Sequence, residues 1–196
     1  MLSAALLAGT AGYIDAICYL LLGRAFAANM TGNLVELGMK AAQNDWVRAG
    51  WLAAVLAAFF VAVPVTRLIA TAHGSSRLML LIEAGLIALA ATGLLDGAET
   101  PVLAAAMALQ NLAARQGGLN VNVGFVTGDM QQLGYHLVKG NPPLEPKPTG
   151  KPRVILTVLA FYAIGAAVGA VAKERGVAML GAGAAVIAAT ALLPAR

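Results

Sequence analysis

The sequence predicts an all-α protein, a polytopic membrane helix bundle of about six transmembrane spans in two inverted repeats, each with a short re-entrant or half-helix. The first observation is composition: 60% of the residues are hydrophobic, 11% are charged, and the mean hydropathy is +0.79. A soluble domain usually carries about 25% charged residues, so this composition indicates an integral membrane protein. The second observation is a polar motif that occurs once in each half of the chain.

The repeated motif reads Thr-Gly-Asn/Asp, two further residues, Glu/Gln and Leu-Gly. It begins at Thr31 and again 96 residues later, about half of the 196-residue chain. In the two copies Asn33 and Asp129 are suited to cap a helix, and Glu36 and Gln132 follow three residues later. This spacing is close to a capping box, so it predicts the start of a short helix in each half.

The first repeat, about residues 1–97, is predicted to contain a span, a half-helix and two further spans. Pro64 should kink or end the second span, because proline lacks the amide hydrogen that a helix needs. The acids Asp15 and Glu83 lie inside apolar runs, and Glu83 is expected to snorkel or to pair at the rim. The predicted bounds are Leu2–Leu22, the half-helix Leu34–Ala42, Trp51–Val65 and Leu78–Leu95.

The second repeat, about residues 98–196, follows the same plan, and the whole chain (1–196) is predicted to be a single membrane domain. Prolines and charges between Lys139 and Arg153 predict an extended, exposed loop. The predicted bounds are Val102–Gln116, the half-helix Met130–Val138, Val154–Val171 and Val177–Leu193.

Three crossings in each half is an odd number, so the second half is predicted to be inverted. This model places eight basic residues on one side and five on the other, which predicts cytoplasmic termini. A rival model extends both half-helices into full spans and gives eight spans with parallel repeats. This rival model places seven basic residues on one side of the membrane and six on the other. The two segments that it adds as spans are too polar to cross the bilayer well. Six spans are therefore preferred.

Four short motifs resemble those of the YoaK-like family of bacterial inner-membrane proteins, a domain of unknown function. The resemblance covers nearly the whole chain, and it implies a multi-span protein of the bacterial plasma membrane. It implies no reaction and no substrate. In the second half Asp129 stands where the first copy has asparagine. The motifs are Gly12-x-x-Asp15-Ala16, Asn29-Met30-Thr31-Gly32-Asn33, Gln110-Asn111-x-x-x-Arg115 and Val126-Thr127-Gly128.

Asp15 is the sharpest candidate for a functional residue, because an acid at membrane depth should face the bundle interior and either pair or protonate. One interpretation is a proton relay or a contact with a polar solute. The alternative is a structural hydrogen bond, with Asn111 or Arg115 as the expected partner. Desolvation should raise the pKa of Asp15, and a nearby arginine should lower it.

The remaining candidates lie at the two half-helix starts and on the fourth span. Helix starts offer free amide hydrogens to small polar or anionic groups, although plain capping explains the same residues. Residues 110, 111 and 115 are expected on one helix face, either along the solute path or as contacts between helices. These candidates are Asn29, Thr31, Gly32, Asn33, Gln110, Asn111, Arg115, Thr127, Gly128 and Asp129.

The functional prediction is a transporter or channel for a small polar solute, with proton coupling as one form of it. A membrane scaffold or accessory subunit without transport activity is the alternative. The chain carries no nucleophile triad, metal motif, phosphate loop or dinucleotide motif, so neither an enzyme nor a cofactor or metal is expected. The expected partners are the lipid bilayer and an unidentified solute, not nucleic acid. The oligomeric state stays open, a homo-oligomer included.

Overall fold

The computed structural model describes residues 1–124, 126–137 and 150–193, and these residues form eight α-helices and no strand. Two short 3₁₀ turns, Lys173–Arg175 and Val177–Met179, precede the last helix. The all-helical prediction is confirmed for this part of the chain. The helices are α1 (Leu2–Leu21), α2 (Met30–Ala42), α3 (Trp46–His73), α4 (Ser76–Ala91), α5 (Glu99–Gln116), α6 (Val126–Leu137), α7 (Pro152–Ala172) and α8 (Leu180–Ala191).

The two short helices, α2 and α6, begin four residues earlier than predicted, and the predicted cap residues are wrong. Asn29 caps α2, since its side chain accepts a hydrogen bond from the Gly32 amide at 3.4 Å. Asn33 is the fourth residue inside α2, and Asp129 is the fourth residue inside α6. Asparagine is an equally good cap at position 29, so the cap preference alone did not distinguish the two positions.

The helix α3 is much longer than predicted, because Pro64 does not end it. The Asp45 carboxylate caps its start by accepting the Arg48 amide at 3.2 Å, and Gly74 ends it with a φ of +60°. Pro64 is exposed, and Thr66 donates to the Ala62 carbonyl at 2.7 Å one turn away. Proline is tolerated inside apolar helices where local adjustments satisfy the backbone groups that it frees.

The other helices differ from the predicted spans mainly at their ends. α4 starts after the Ser75 cap and stops before residues 92–98, which form a turn instead of the predicted helix end. The last span divides into a 3₁₀ turn and the shorter α8. The predicted loop Lys139–Arg153 lies mostly outside the described residues, which resume at Gly150.

The helix α1 packs along α7 in the same direction, and glycines allow a close approach. A Cβ atom added to Gly12 would overlap the Tyr162 carbonyl oxygen. A Cβ atom added to Gly165 would likewise overlap the Gly9 carbonyl oxygen. Further along both helices, a Cβ atom on Gly169 would lie 2.6 Å from the Tyr13 carbonyl oxygen. Small residues permit such contact between helix backbones in lipid.

The helices α1 and α5, which are equivalent in the two halves, run in opposite directions. Near one end of the bundle the Thr100 hydroxyl, in the first turn of α5, donates to the Leu22 carbonyl at 2.9 Å. Deeper in the bundle the Gln110 amide donates to the Leu7 carbonyl at 3.0 Å. Residue numbers therefore increase along α5 in the direction in which they decrease along α1, so the two helices are antiparallel.

The chain leaves α1 and starts α3 at the same end of the bundle. The Arg48 guanidinium, in the first turn of α3, donates to the carbonyl of Gly23 and, at 2.9 Å, to that of Arg24. The Trp51 ring lies over Gly23, 3.1 Å from the position of an added Cβ atom. The intervening segment, which contains α2, thus departs from this end and returns to it.

Three helical segments are long and apolar enough to cross a membrane: Leu2–Leu21, Trp46–His73 and Pro152–Arg175. The segment Val177–Ala191 is apolar but shorter. These segments indicate a membrane protein. Neither α4 nor α5 meets the same criterion, and α5 has many buried residues, so it is screened from lipid by its neighbours and has less need of an apolar surface.

Candidate functional site

Asp15 forms the centre of a buried polar network in the first half. Its carboxylate accepts hydrogen bonds from the amides of Ala28 at 2.6 Å and Asn29 at 3.1 Å. The Tyr162 hydroxyl of α7 donates to the same carboxylate. Only 2% of Asp15 is exposed, so three donors replace the water that this acid has lost.

These bonds fix the course of the first turn, which we define as residues 22–29. Asp15 lies six residues before the end of α1, which is about 9 Å along the helix axis. The first turn therefore folds back into the bundle, and α2 begins at the depth of Asp15. The amides before α2 carry the partial positive charge of a helix start, and the Asp15 carboxylate already occupies that position.

The second half repeats this arrangement with an amide side chain. The Gly124 amide donates to the side-chain oxygen of Asn111 at 3.2 Å, 96 residues after the bond between Ala28 and Asp15. The Asn111 side chain also donates to the Met107 carbonyl at 3.1 Å. We define residues 117–124 as the second turn. Asn111 thus anchors the second turn as Asp15 anchors the first.

A second pair of bonds shows the same offset. The Phe26 amide donates to the Asn33 side chain at 2.8 Å, and the Asn122 amide donates to the Asp129 carboxylate at 3.1 Å. Asn33 also donates to the Phe26 carbonyl at 2.7 Å, a bond that an ionised aspartate is unable to make. Both motif residues therefore hold a turn in place from inside the helix that follows.

The two turns meet each other in the interior. An added Cβ atom on Gly124 would lie 3.0 Å from the Cβ atom of Ala28, and both residues are buried. Residues 28 and 124 occupy equivalent positions in the two halves, so the contact lies where the halves face each other. The starts of α2 and α6 are brought close together there.

The electrostatics of the second half depend on Asp129, in the short helix α6. Its carboxylate is buried, and the bond from the Asn122 amide and the positive charge of Arg115 both favour its ionised form. Arg115 is exposed and donates to the Asn122 side chain at 2.7 Å. Among the bonds of the described residues, Asp15 has neither Asn111 nor Arg115 as its partner, contrary to the expectation.

The other predicted site residues do not form one cluster. Asn111 and Gln110 are buried whereas Arg115 is exposed, so these three residues of α5 do not share one environment. Thr31, Thr127 and Gly128 are also exposed. Gly32 is partly buried against the Phe26 ring, whose Cε2 atom would lie 3.0 Å from an added Cβ atom.

Glu36 does not complete a capping box. Its carboxylate forms a salt bridge with Arg48 at 2.6 Å, which ties α2 to the first turn of α3. In the second half Gln132 accepts a hydrogen bond from the Gly150 amide at 2.9 Å, and His136 contacts the Gly150 carbonyl at 2.8 Å. These residues fasten α6 to the segment that begins at Gly150.

An apolar cavity of about 250 Å³ lies between α1, α7 and α8. Its walls include Gly9, Tyr13, Gly165 and Gly183. None of the predicted site residues lines this cavity. Its apolar walls fit a hydrocarbon chain better than a polar solute.

Sequence reasoning missed two residues of the buried polar set. Tyr162 carries no signal in the sequence, because it is one aromatic residue in an apolar run. Glu83 is predicted from the sequence to lie at the rim of the membrane, whereas its side chain is fully buried in the structure. Neither carboxylate oxygen of Glu83 has a hydrogen-bond partner among the described residues.

The described residues contain no group of three or more His, Cys, Asp or Glu side chains that could hold a metal ion. No protein with a curated description and no solved structure matches the chain. A family model does match, from residue 3 to residue 193, and it is described as a protein of unknown function (DUF1275). Because the match covers nearly the whole sequence, the chain belongs to the DUF1275 family.

Proposed function

We propose that this protein is a proton-coupled transporter of a small polar solute in the bacterial inner membrane. It crosses the membrane six times in two inverted repeats, with both termini in the cytoplasm. The localisation follows the resemblance to the YoaK-like proteins and the distribution of basic residues. The observation that carries the proposal is the meeting of the two re-entrant turns at Ala28 and Gly124.

The geometry supports inversion in two ways. The equivalent helices α1 and α5 are antiparallel, so two membrane crossings by them would run in opposite directions. The segment between α1 and α3, which contains α2, leaves and rejoins one end of the bundle, so it adds no crossing. Eight spans with parallel repeats would instead require α1 and α5 to be parallel. Two half-helices that meet at mid-depth are a recurring plan of transporters.

The buried acids favour a neutral or cationic solute over an anionic one. Among the Asp, Glu, Lys and Arg side chains of the described residues, those that are buried are all acidic, namely Asp15, Glu83, Glu99 and Asp129. In the first half the helix start that would attract an anion already holds the Asp15 carboxylate. A second anion at that position would be repelled by the first.

The hydrogen bonds of Asp15, Asn33 and Asn111 also favour a second candidate, a membrane scaffold without transport. Each of these side chains binds backbone groups of its own half, which is sufficient to explain its presence. In a scaffold, however, the contact between the two turns would be fixed. A transporter must open and close it.

A reversible cross-link between the turns distinguishes the two candidates. Cysteines in place of Ala28 and Gly124, in a Cys18→Ala background, should form a disulfide once the two turns separate slightly, because the Cβ positions are 3.0 Å apart and a disulfide needs about 3.5–4.5 Å. We expect the oxidised protein to lose solute-driven proton movement in liposomes and to regain it after reduction. The two single-cysteine variants serve as controls. Solute movement that continues through the cross-linked protein would contradict the proposal.

The solute class is tested by thermal unfolding of the purified protein. A ligand that binds the native state raises the melting temperature. We expect small alkylammonium ions or neutral polyols to stabilise the protein, and carboxylates of the same size to leave it unchanged. Stabilisation by the carboxylates alone would show that the preference for neutral or cationic solutes is wrong.

A further inference from the structure

Glu83 is a buried acid that the hydrogen-bond network leaves out. It is the eighth of sixteen residues in α4, and its side chain is fully buried. Both carboxylate oxygens are without a partner in the described part of the chain. An unpaired carboxylate is very unfavourable in such surroundings, so this conformation holds the neutral acid.

No basic side chain compensates Glu83 within the described residues. The helix α4 packs mainly on α5 and α8, with lesser contact to α3 and the 3₁₀ turn Val177–Met179. Neither α8 nor that turn carries a titratable side chain. The charged residues of α5 lie at its two ends, and Glu83 forms no described salt bridge with any of the remaining groups. The titratable groups of α5, α3 and α4 are Glu99, Arg115, Arg48, Arg67, His73 and Arg77.

The sequence repeat places no acid at the matching position of the second half. The residue 96 positions after Glu83 is Met179, an apolar side chain in the 3₁₀ turn before α8. Asp15 differs in this respect, because its counterpart Asn111 makes the same bond to a turn. A structural role therefore explains Asp15 and Asn111 but leaves Glu83 unexplained.

We propose that Glu83 is the proton-binding site of the protein, an inference that rests on the proposed proton-coupled transport. The carboxylate takes one proton from water when the bundle opens to one side, and the neutral acid is then enclosed as in this structure. When the bundle opens to the other side, the carboxyl O–H bond breaks and the proton returns to water. No oxidant, metal or second reactant takes part.

Infrared difference spectroscopy of the purified protein tests this assignment without any solute. We expect a protonated-carboxyl band at neutral pH that disappears in Glu83→Gln and persists in Glu174→Gln, since Glu174 is exposed. Glu83→Asp should retain a shifted band. If Glu83→Gln does not fold, Glu83→Met replaces it, because methionine is the residue of the equivalent position. A protonated-carboxyl band of undiminished intensity in Glu83→Gln or Glu83→Met would overturn the proposal.

Liposome measurements separate this proposal from the proposed function. We expect Glu83→Gln to reduce proton movement driven by a gradient of a small alkylammonium ion at least tenfold, while exchange of that ion across the membrane continues. Undiminished proton movement in Glu83→Gln would overturn the role of Glu83 even if transport is real. Conversely, no transport by the wild type together with a Glu83-dependent band would refute the transporter and support the proton site.

Discussion

Replacing Gly165 with alanine should destabilise the protein by about 3 kcal/mol, at the upper end of what overpacking usually produces. The new methyl group would lie inside the van der Waals radius of the Gly9 carbonyl oxygen. A backbone atom is unable to rotate away as a side chain does, so α1 and α7 must separate. Since α7 also supplies Tyr162 to Asp15, the separation should loosen the first turn as well.

Gly181 and Gly85 provide matched controls for Gly165. Both lie inside helices, and an added Cβ atom at either position meets no atom within 4 Å. Gly181→Ala and Gly85→Ala should therefore stabilise the protein by up to about 1 kcal/mol, because alanine favours a helix over glycine. Thermal unfolding in one detergent compares the three variants. Equal melting temperatures for Gly165→Ala and Gly181→Ala would show that the close approach of α1 and α7 is wrong.

Asp15→Ala is expected to lower the free energy of unfolding by about 4 kcal/mol, since three donors lose their buried acceptor. The donors are the amides of Ala28 and Asn29 and the Tyr162 hydroxyl. Asp15→Asn should lose about half as much, because Asn111 shows that an amide oxygen accepts one such bond. Tyr162→Phe, which removes one donor, should lose about 1–2 kcal/mol.

The order of these melting temperatures also decides between the two interpretations of Asp15. A residue that only carries a proton should tolerate asparagine without loss of stability, since the neutral amide resembles the protonated acid. A residue that anchors the first turn should lose stability when asparagine replaces it. A melting temperature of Asp15→Asn equal to that of the wild type would therefore contradict the anchoring role and favour the proton relay.

Much of the helix arrangement was accessible from the sequence because hydrophobic runs and the repeated motif are local signals. The extent of α1 and the existence of α2 and α6 follow from them. The prediction failed at Asn33, because Asn29 is a competing cap only four residues away. It failed at Pro64, because an apolar helix can continue through a proline, as α3 does.

The partners of the candidate residues were beyond sequence reasoning. Asp15 binds two backbone amides and a tyrosine 147 residues away, and neither kind of donor leaves a pattern in the sequence. Charge complementarity suggested Arg115 instead, which the fold leaves exposed. The burial of Glu83 depends on which face of α4 packs on its neighbours, and an apolar run without clear periodicity does not specify that face.

Cysteine accessibility at positions 24 and 120 tests most directly whether the two halves are inverted in the membrane. Arg24 and Asn120 are equivalent in the repeat, both are exposed, and both have a positive φ, 58° and 51°. Substitution by cysteine should therefore strain the two sites alike. Each single cysteine is introduced in a Cys18→Ala background, and intact cells are treated with a membrane-impermeant maleimide. A cysteine in place of the exposed Asp96 should be labelled in intact cells, as Arg24→Cys should be. The account predicts labelling of Arg24→Cys and no labelling of Asn120→Cys until the cells are opened, whereas equal labelling of the two would contradict it.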